Sequence, residues 1–394
     1  MQLYRLFIPF FDPSVSQWSI LARLLRWLTF FWLFIGLAIM FSASFPVGAF
    51  GDSYAGDGLY YFKRQLFWVL IGLIGFNFIV HYPLRHVLRV SQWFVLGLLV
   101  LIFVTKLPGM GVTTNGSARW LKGPIPLQPS ELIKPFLVLQ SARIFGQWKK
   151  IHWNVRLSWL LIFGLVLLSI LIQPNLSMTA LCGITLWLVA LAAGLRFRYL
   201  LLAATSGLLL AYLSVRNQEY QMLRILSFLD PWKHQAGIGY QLVESLKAVG
   251  SGGVWGTGYG LSQQKLFYLP IQYTDFIFAI FAEEFGLIGG LLLLLMLVVY
   301  ATLALLVAFN AASTVHRLVA VGAMVLMVGQ SLLNMGVATG ALPTTGLPFP
   351  LISYGGNSML TSLFVAGLLI RVARESTVAE VVSFNERSSG KINS

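Results

Sequence analysis

Long apolar runs separated by short polar segments dominate the chain. About ten of these runs have the roughly 17 to 25 residues that a helix needs to cross a bilayer. Inside a membrane every backbone polar group must be satisfied within the segment, so such runs are expected to be helices. We therefore predict an all-α polytopic membrane protein with about ten transmembrane helices. The predicted spans are 27–44, 65–81, 91–105, 131–146, 157–173, 178–195, 199–215, 276–308, 317–338 and 358–371.

The same pattern predicts the domain organisation. Residues 1–26 form a cytoplasmic N-terminal arm, 27–371 a single ten-span transmembrane domain and 372–394 a cytoplasmic tail. Between spans 7 and 8 lies a long external loop, 216–275, which carries large apolar residues such as Phe228, Trp232 and Trp255. Loops of this length in compact proteins are usually functional or disordered. Its composition favours a structured loop with short interfacial helices.

Composition and charge narrow the class of protein. Hydrophobic residues make up 57% of the chain and charged residues 10%, against roughly a quarter in soluble domains. The net charge of +14 suggests nucleic acid at first sight, but basic residues in membrane proteins set topology and meet anionic lipids. The loops assigned to the cytoplasm carry paired basic residues, including Arg85 with Arg89 and Lys149 with Lys150. We therefore predict both termini in the cytoplasm and no nucleic-acid partner.

The positions of the cysteine and histidine residues predict neither a disulfide nor a metal site. The single cysteine, Cys182, excludes an internal disulfide and sits in an apolar run as a small buried residue. The five histidines are scattered without ligand spacing. We expect no metal site and no cofactor, although a divalent cation would be compatible with the chemistry described below.

One polar segment lies at the start of span 4. Ser130 is placed to act as the N-cap of that helix. Glu131 and Lys134, at positions i and i+3, share one helix face and can pair. Two readings remain open: a capping acid beside an interfacial lysine, or a functional pair, since ionisable residues that enter a membrane are functional candidates by default.

Two further external segments are rich in turn-forming residues. Gln173-Pro-Asn175 is typical of a tight external turn. The glycine-rich stretch 250–260 does not lie between a strand and a helix, so it does not fit a nucleotide-binding loop. We interpret it as a shaped loop beside a lipid-borne substrate.

A carboxylate opens the eighth span. Asp275 has apolar neighbours on both sides, and desolvation raises the pKa of a carboxyl in such a place, which suits a general base. Glu283 would lie about 80° round a regular helix from Asp275, so the two could share one cavity, whereas Glu284 faces away. The alternative is that Asp275 is simply a helix N-cap. Prolines and glycines between Pro343 and Gly356 exclude a continuous helix and predict a loop that lines the same cavity.

These segments together resemble the shape, elongation, division and sporulation (SEDS) family, whose members include FtsW, RodA and SpoVE. The matching stretches are Gly116-Ser-Ala-Arg-Trp, Gln128-Pro-Ser-Glu131, the glycine-rich loop, Leu269-Pro, Thr274-Asp-Phe-Ile-Phe, Glu283-Glu284 and Asn334 through Ser358. Phe41-Ser-Ala-Ser44 and Leu351-Ile-Ser-Tyr354 resemble the FtsW branch more than the RodA branch. The chain departs from the family pattern at Ile271-Gln-Tyr273 and at Asn175.

The resemblance implies a peptidoglycan glycosyltransferase that polymerises lipid II at the outer face of the bacterial cytoplasmic membrane during cell division. It implies a class B penicillin-binding protein and other division membrane proteins as partners. Asp275 matches the family's essential external aspartate and becomes the candidate catalytic base. The candidate substrate-binding residues are Arg119, Glu131, Lys134, Thr274, Glu283, Ser353, Tyr354 and Gly355.

A mechanism can be written for that activity. Asp275 would activate the acceptor hydroxyl, while Arg119 and Lys134 would stabilise the departing pyrophosphate, since Arg and Lys are the usual phosphate partners. Two other functions remain open. A lipid-precursor flippase should hold ionisable residues near the bilayer midplane, for which Glu283 and Glu284 are the best candidates. A non-catalytic scaffold would use the outer faces of the spans to bind partners.

Overall fold

The computed structural model describes residues 13–50, 56–114, 117–123 and 126–389, and the side chains of 377–389 are outside its description. Parts of the predicted terminal arms and the motif residue Gly116 therefore lie outside the described residues. After a short 3₁₀ turn at Pro13–Gln17, twelve helices and one hairpin follow in the described ranges. They are α1 (Ile20–Phe50), α2 (Tyr60–His81), α3 (Leu84–Val104), β1 (Gly111–Thr114), β2 (Ser117–Leu121), α4 (Pro129–Gly146), α5 (Trp153–Ile172), α6 (Leu176–Ala192), α7 (Phe197–Asn217), α8 (Glu219–Leu229), α9 (Tyr240–Ser251), α10 (Ile277–Phe309), α11 (Thr314–Ala338) and α12 (Gly356–Ser389).

Each predicted span falls on one of these helices, and the all-α membrane class is confirmed. Eight of the described helices are long and apolar enough to cross a membrane. The two other predicted spans are α4, which carries Glu131, Lys134 and Arg143, and α6, which is apolar but has 17 residues. The number of ten spans stays a prediction. Most of the helices are longer than the predicted spans, and both predicted domain boundaries fall inside a helix, because α1 begins at Ile20 and α12 continues beyond residue 371.

Burial divides the bundle into a centre and a rim. In the apolar stretch of α12, 78% of residues are buried, and α12 packs against α1, α2, α4 and α11. In α7 only 6% are buried, and α7 packs against α6 and α8. Cys182 is a free, buried thiol on α6, as its apolar surroundings predicted. Of the eight described helices that are long and apolar enough to cross a membrane, α12 is therefore the most buried and α7 the least.

The long α10 is broken near its N-terminal end. Gly286 has φ +64° and ψ −164°, so the helix cannot continue through it. The glycine-rich loop forms hydrogen bonds with the backbone on both sides of the break. Thr257 and Gly258 donate backbone hydrogen bonds to the carbonyls of Glu283 and Glu284 (2.9 and 3.1 Å). Leu287 and Ile288 donate in return to the carbonyls of Gly253 and Val254 (2.9 and 3.2 Å). Irregular backbone at this depth is tolerated because protein groups satisfy it.

The predicted loop between spans 7 and 8 is structured. It contains α8 and α9, which confirms the expectation of short helices, and α9 packs against α10 and α11. The loop 340–355 is non-helical, as its prolines and glycines predicted. A π-helical turn at Val325–Gly329 interrupts α11. Such π turns often occur at functional sites, and this one directly precedes Gln330.

One predicted cap is wrong. Gln128, in extended conformation, is the N-cap of α4, and Pro129 and Ser130 occupy its first turn. Proline is favoured at the first helical position, where its missing N–H costs nothing, and the helix starts two residues earlier than predicted. Ser130 is fully buried in the first turn and does not cap the helix.

Candidate functional site

Asp275 lies two residues before α10, and its side chain is half-buried. The N-cap of α10 is Phe276, which makes no side-chain cap, so the alternative of Asp275 as an N-cap is wrong. Asn334 on α11 donates from Nδ2 to the backbone carbonyl of Asp275 at 2.7 Å. The Asp275 carboxylate therefore does not cap α10 and is available for another role.

Gly346 and Arg224 flank the Asp275 carboxylate. A Cβ placed on Gly346 would lie 3.4 Å from Asp275 Oδ2 and 3.9 Å from Arg224 Nη2. The Arg224 guanidinium is held by the Thr344 carbonyl (3.2 Å) and the Tyr220 hydroxyl (2.5 Å), and it stacks over the Tyr220 ring at 4.6 Å. The bare backbone of Gly346 therefore keeps open a small space between a carboxylate and a fixed cation.

Arg119 approaches the same region from β2. Its Nε and Nη2 donate to the carbonyls of Gln173 and Pro174 at 3.3 and 2.7 Å. The predicted turn at Gln173-Pro-Asn175 thus acts as a support for this arginine, while Asn175 caps α6 by accepting from the Met178 amide. The charge of Arg119 acts on the Asp275 carboxyl together with those of Arg224 and Glu131.

Burial is the main influence on the ionisation of Asp275. It raises the pKa of this carboxyl above its usual value of 3.8, because the charged form loses hydration. The positive charge of Arg224 lowers the pKa, Glu131 raises it and Arg119 lowers it, in decreasing order of effect. A carboxylate with a raised pKa beside two arginines can accept a proton from a bound hydroxyl.

Glu131 and Lys134 form the predicted pair on α4, with Nζ 2.7 Å from Oε2. Both side chains are almost fully buried, which rules out the interfacial lysine of the alternative reading. Lys134 also donates to Gln330 Oε1 at 3.0 Å, and Gln330 Nε2 donates to the Pro348 carbonyl at 2.6 Å. The pair therefore connects α4 with α11 and the loop after it.

The loop residues Ser353 and Tyr354 hold the backbone around Asp275. Ser353 Oγ donates to the Thr274 carbonyl at 2.6 Å and accepts from the Phe349 amide at 2.7 Å. The Tyr354 amide donates to the Tyr273 carbonyl at 2.8 Å. Gly355, with φ +155°, donates from its amide to Gln65 Oε1 at 3.2 Å. Ser353 and Tyr354 thus hold the main chain of the two residues before Asp275, whereas Gly355 is bound to α2.

Glu283 occupies a different place from the one expected. Its carboxylate accepts from Ser262 Oγ (2.5 Å) and from the amide of Gln263 (2.9 Å), so it binds the loop and not the region of Asp275 and Arg224. That expectation placed both residues on one regular helix, but α10 begins at Ile277, so Asp275 lies outside the helix that carries Glu283. Thr274 turns its hydroxyl to the Ile271 carbonyl at 2.9 Å.

The sequence pattern did not single out Arg224, Gln330 or the side-chain role of Asn334. Arg224 lies on the amphipathic α8 and is brought to Asp275 only by the packing of that helix. The pattern of basic and aromatic residues in α8, with Tyr220 four residues before Arg224, was the available signal. Within the described residues, no group of three or more His, Cys, Asp or Glu side chains could hold a metal ion.

Comparison with known proteins shows the family to which the chain belongs. The family model for FtsW, RodA and SpoVE, described as "Cell cycle protein", matches residues 22–378. The chain belongs to this family. It is 52% identical over 387 residues to the "Probable peptidoglycan glycosyltransferase FtsW" of Synechocystis sp., covering 98% of both chains. It is 35% identical to the stage V sporulation protein E of Bacillus subtilis, covering 89% of this chain and 96% of that protein.

Solved structures share the fold of this chain. One chain from a structure concerning the coordination of polymerization and crosslinking by a peptidoglycan synthase complex superposes with a TM-score of 0.71. It is 26% identical, and the match covers 89% of this chain and 98% of that one. Together with the apolar helices, family membership makes this chain a multi-pass membrane protein.

Proposed function

We propose that this chain is a peptidoglycan glycosyltransferase that polymerises lipid II at the outer face of the cytoplasmic membrane, with Asp275 as general base. The observation that carries the proposal is the half-buried Asp275 carboxylate with a raised pKa, separated from the fixed Arg224 guanidinium by the open backbone of Gly346. The names of the most similar relatives support the reaction class.

The reaction needs a base and a site for the leaving group. Asp275 accepts the proton of the acceptor sugar hydroxyl as its oxygen attacks the anomeric carbon of the donor. The bond from that carbon to the polyprenyl pyrophosphate breaks, and the pyrophosphate leaves with the electron pair. An α-linked donor that gives a β-linked glycan is inverted in this single displacement, so a second carboxylate nucleophile is not required.

Arg224 and Arg119 are the best candidates to stabilise the pyrophosphate. Arginine presents several N–H donors in a planar fork that suits phosphate oxygens. Lys134 has its ammonium already engaged by Glu131 and Gln330, so we assign it mainly to the support of the site. Ser353 and Tyr354 support the Asp275 segment through the backbone, and Thr274 belongs to that segment. Gly355 holds the same loop to Gln65 on α2.

The cellular setting belongs to the same proposal. The FtsW relatives and the family model described as "Cell cycle protein" support a role in cell division. The apolar runs and the basic residues of the short loops support ten spans with both termini in the cytoplasm. The structural match within a peptidoglycan synthase complex supports a class B penicillin-binding protein as transpeptidase partner, alongside other division membrane proteins. Cysteine labelling at positions in the 1–26 arm and the 216–275 loop would test the orientation.

The deciding experiment is polymerisation of fluorescent lipid II by purified protein, with and without the penicillin-binding partner. Wild type should form glycan chains, and Asp275→Asn should form none while remaining folded. Arg224→Met should lose at least about tenfold in kcat/KM, since one charge-assisted contact is worth a few kcal/mol. Substantial polymerisation by Asp275→Asn would refute the base assignment. Lipid II translocation in liposomes without polymerisation would favour a flippase instead.

A further inference from the structure

A second ionic cluster lies buried on the other side of the Asp275 segment. Lys265 Nζ lies 2.7 Å from Glu284 Oε1 and donates to Ser42 Oγ at 2.8 Å, while Ser42 Oγ donates to Glu284 Oε1 at 2.5 Å. Lys265 is 4% exposed and Glu284 is 1% exposed. The cluster ties three separate parts of the chain together: α1, the external loop and α10.

The cluster is connected to Asp275 by a short path. Gln272, three residues before Asp275, is buried, and its Nε2 donates to the carbonyl of Lys265 at 3.0 Å. The same amide donates to the carbonyl of Ala43, next to Ser42, at 3.2 Å. The backbone of Lys265 therefore fixes Gln272 while the side chain of Lys265 is fixed by Glu284.

The segment between these anchors is strained. Phe267 has φ +68° and Ile271 has φ +53°, in the left-handed region that L-residues rarely adopt. For a β-branched residue such as Ile271 this conformation is a genuine outlier. Strained backbone persists only where surrounding contacts over-determine it, and such residues cluster at functional sites. Lys265 and Gln272 supply contacts of that kind on both sides of the strained turn.

Glu283 and Glu284 bind different parts of this loop. Glu283 binds the side chain of Ser262 and the amide of Gln263, at the start of the segment. Glu284 binds the side chain of Lys265, in the next turn of the loop. Both carboxylates stand on the short outer part of α10 before Gly286, the part that begins directly after Asp275.

A pocket of about 360 Å³ lies against this cluster. Phe41, Phe45 and Tyr259 contribute to its walls, and Ser42 and Lys265 line it. A long, flexible apolar side chain at position 265 could therefore be accommodated, which makes neutral replacement of the ion pair practicable.

We propose that Lys265, Glu284 and Ser42 form a positioning cluster that sets the place of Asp275 through Gln272 and the strained turn at 267–271. The inference rests on the proposed function in that Asp275 is taken as the base. Lys265 and Glu284 are positioning residues and do not contact the reacting atoms. Breaking the cluster releases the segment and displaces the Asp275 carboxylate from the acceptor hydroxyl.

The test compares full-length Glu284→Gln, Lys265→Arg and the double variant Lys265→Met with Glu284→Met. Removing one partner of a buried pair leaves an uncompensated charge and can unfold the protein, whereas replacing both by apolar residues is often neutral for stability. The double variant should therefore melt close to wild type and still lose activity. We expect kcat to fall about 10- to 100-fold with KM changed less than about twofold, as a displacement of about 1 Å can produce. Lys265→Arg keeps the charge and should retain most of kcat.

Hydrogen–deuterium exchange provides a readout that does not depend on activity. Amides in 262–275 should exchange faster in the double variant than in wild type. Glu375→Gln is the control, because Glu375 forms an ion pair with Arg371 at 2.6 Å on α12 but has no contact with the loop among the described residues. It should lower stability without changing exchange in 262–275.

The outcomes separate the two proposals. Unchanged exchange in 262–275, or wild-type kcat in the double variant, would overturn the positioning cluster. If exchange rises as expected but Asp275→Asn still polymerises lipid II, the cluster holds the segment as inferred and the assignment of Asp275 as base fails.

Discussion

Asn334 holds the backbone of Asp275: its Nδ2 donates to the Asp275 carbonyl at 2.7 Å and to the Leu347 carbonyl at 2.9 Å. One amide on α11 thereby joins the start of α10 to the loop that follows α11. Asn334 lies one turn after Gln330, which contacts Lys134 and the Pro348 carbonyl. The face of α11 just after its π-helical turn thus organises both the carboxylate and the loop.

Replacing Asn334 by leucine should impair both catalysis and stability. The carbonyls of Asp275 and Leu347 lose their hydrogen-bond donor, and each carbonyl left unsatisfied costs about 1–3 kcal/mol of stability. We expect a drop in kcat of at least about tenfold, because Asp275 is no longer fixed. The matched control is Ser331→Ala, since Ser331 is buried beside it but bonds only to Met327 in its own helix at 2.7 Å. Equal kcat in the two variants would contradict the role of Asn334.

The raised pKa of Asp275 predicts a pH dependence of activity. The base must be deprotonated to work, so kcat/KM should fall on the acid side with an apparent pKa above the ordinary 3.8 of aspartate. Arg224 lowers the pKa of Asp275, so Arg224→Met should move this acid limb to higher pH. A pH–rate profile of lipid II polymerisation measures both. If the acid limb of the profile does not move in Arg224→Met, Arg224 does not lower the pKa of the catalytic base.

The same shift predicts that Asp275 reduces stability at neutral pH. A carboxyl whose pKa is higher in the folded than in the unfolded state takes up protons on folding, so stability falls as pH rises from the unfolded to the folded pKa. Asp275→Asn removes the buried charge and should melt above wild type at pH 7, with a difference that vanishes below the unfolded pKa. A lower melting temperature for Asp275→Asn at pH 7 would mean that the arginines outweigh desolvation.

The sequence predicted the parts of this fold that depend on local pattern. The long apolar runs located every helix of the bundle, and the i, i+3 spacing of Glu131 and Lys134 predicted a pair that the structure brings to 2.7 Å. The position of Glu283 failed for a physical reason. The prediction assumed that one regular helix carries both residues, but α10 begins at Ile277, so helical angles do not relate Glu283 to Asp275 in the turn before it.

Arg224 shows what sequence pattern alone could not supply. It lies far from Asp275 along the chain, on an amphipathic helix whose pattern predicts a surface position. Only the packing of α8 near Thr344 and Gly346 brings its guanidinium to the carboxylate. The glycine-rich loop is similar: its glycines indicated close backbone approach, but the partner, a broken transmembrane helix, is a tertiary feature.

Gly346 should be sensitive to the smallest substitution. Gly346→Ala places a methyl group 3.4 Å from Asp275 Oδ2 and imposes φ +72° on an L-residue, which costs about 1–2 kcal/mol. Gly194→Ala is the control, because Gly194 has φ +75° and open space around its Cβ. Both variants should lose similar stability, but only Gly346→Ala should lose polymerisation. Comparable activity in both would show that the space beside Asp275 is not used by substrate.

Gly256 tests the pairing of the loop with the broken helix. A Cβ there would lie 2.2 Å from the carbonyl oxygen of Glu284, a backbone atom that cannot move freely. Gly256→Ala should therefore destabilise the protein by about 3 kcal/mol or more, since overpacking of this kind adds to the cost of positive φ. Gly253→Ala, with φ +53° and open space, shares only the backbone cost. Thermal unfolding of the two variants in detergent would separate the contributions, and equal losses would contradict the close contact.

The buried Glu131–Lys134 pair distinguishes support of the site from binding of substrate. Lys134→Met alone leaves the Glu131 carboxylate buried without its cation, and losses of about 3–5 kcal/mol are typical when one partner is removed. The double variant Glu131→Gln with Lys134→Met removes both charges and should recover most of that stability.

If Lys134 acts only as support through Glu131 and Gln330, the double variant should keep its KM for lipid II and lose mainly kcat. If the Lys134 ammonium binds pyrophosphate, as the sequence suggested, the double variant should be stable but have a strongly raised KM. The reason is that a contact with phosphate is then lost both in the substrate complex and in the transition state. Melting temperature and steady-state kinetics of the single and double variants decide between these two roles. The hydrogen bond from Lys134 to Gln330 at 3.0 Å, beside the 2.7 Å contact with Glu131, favours the first.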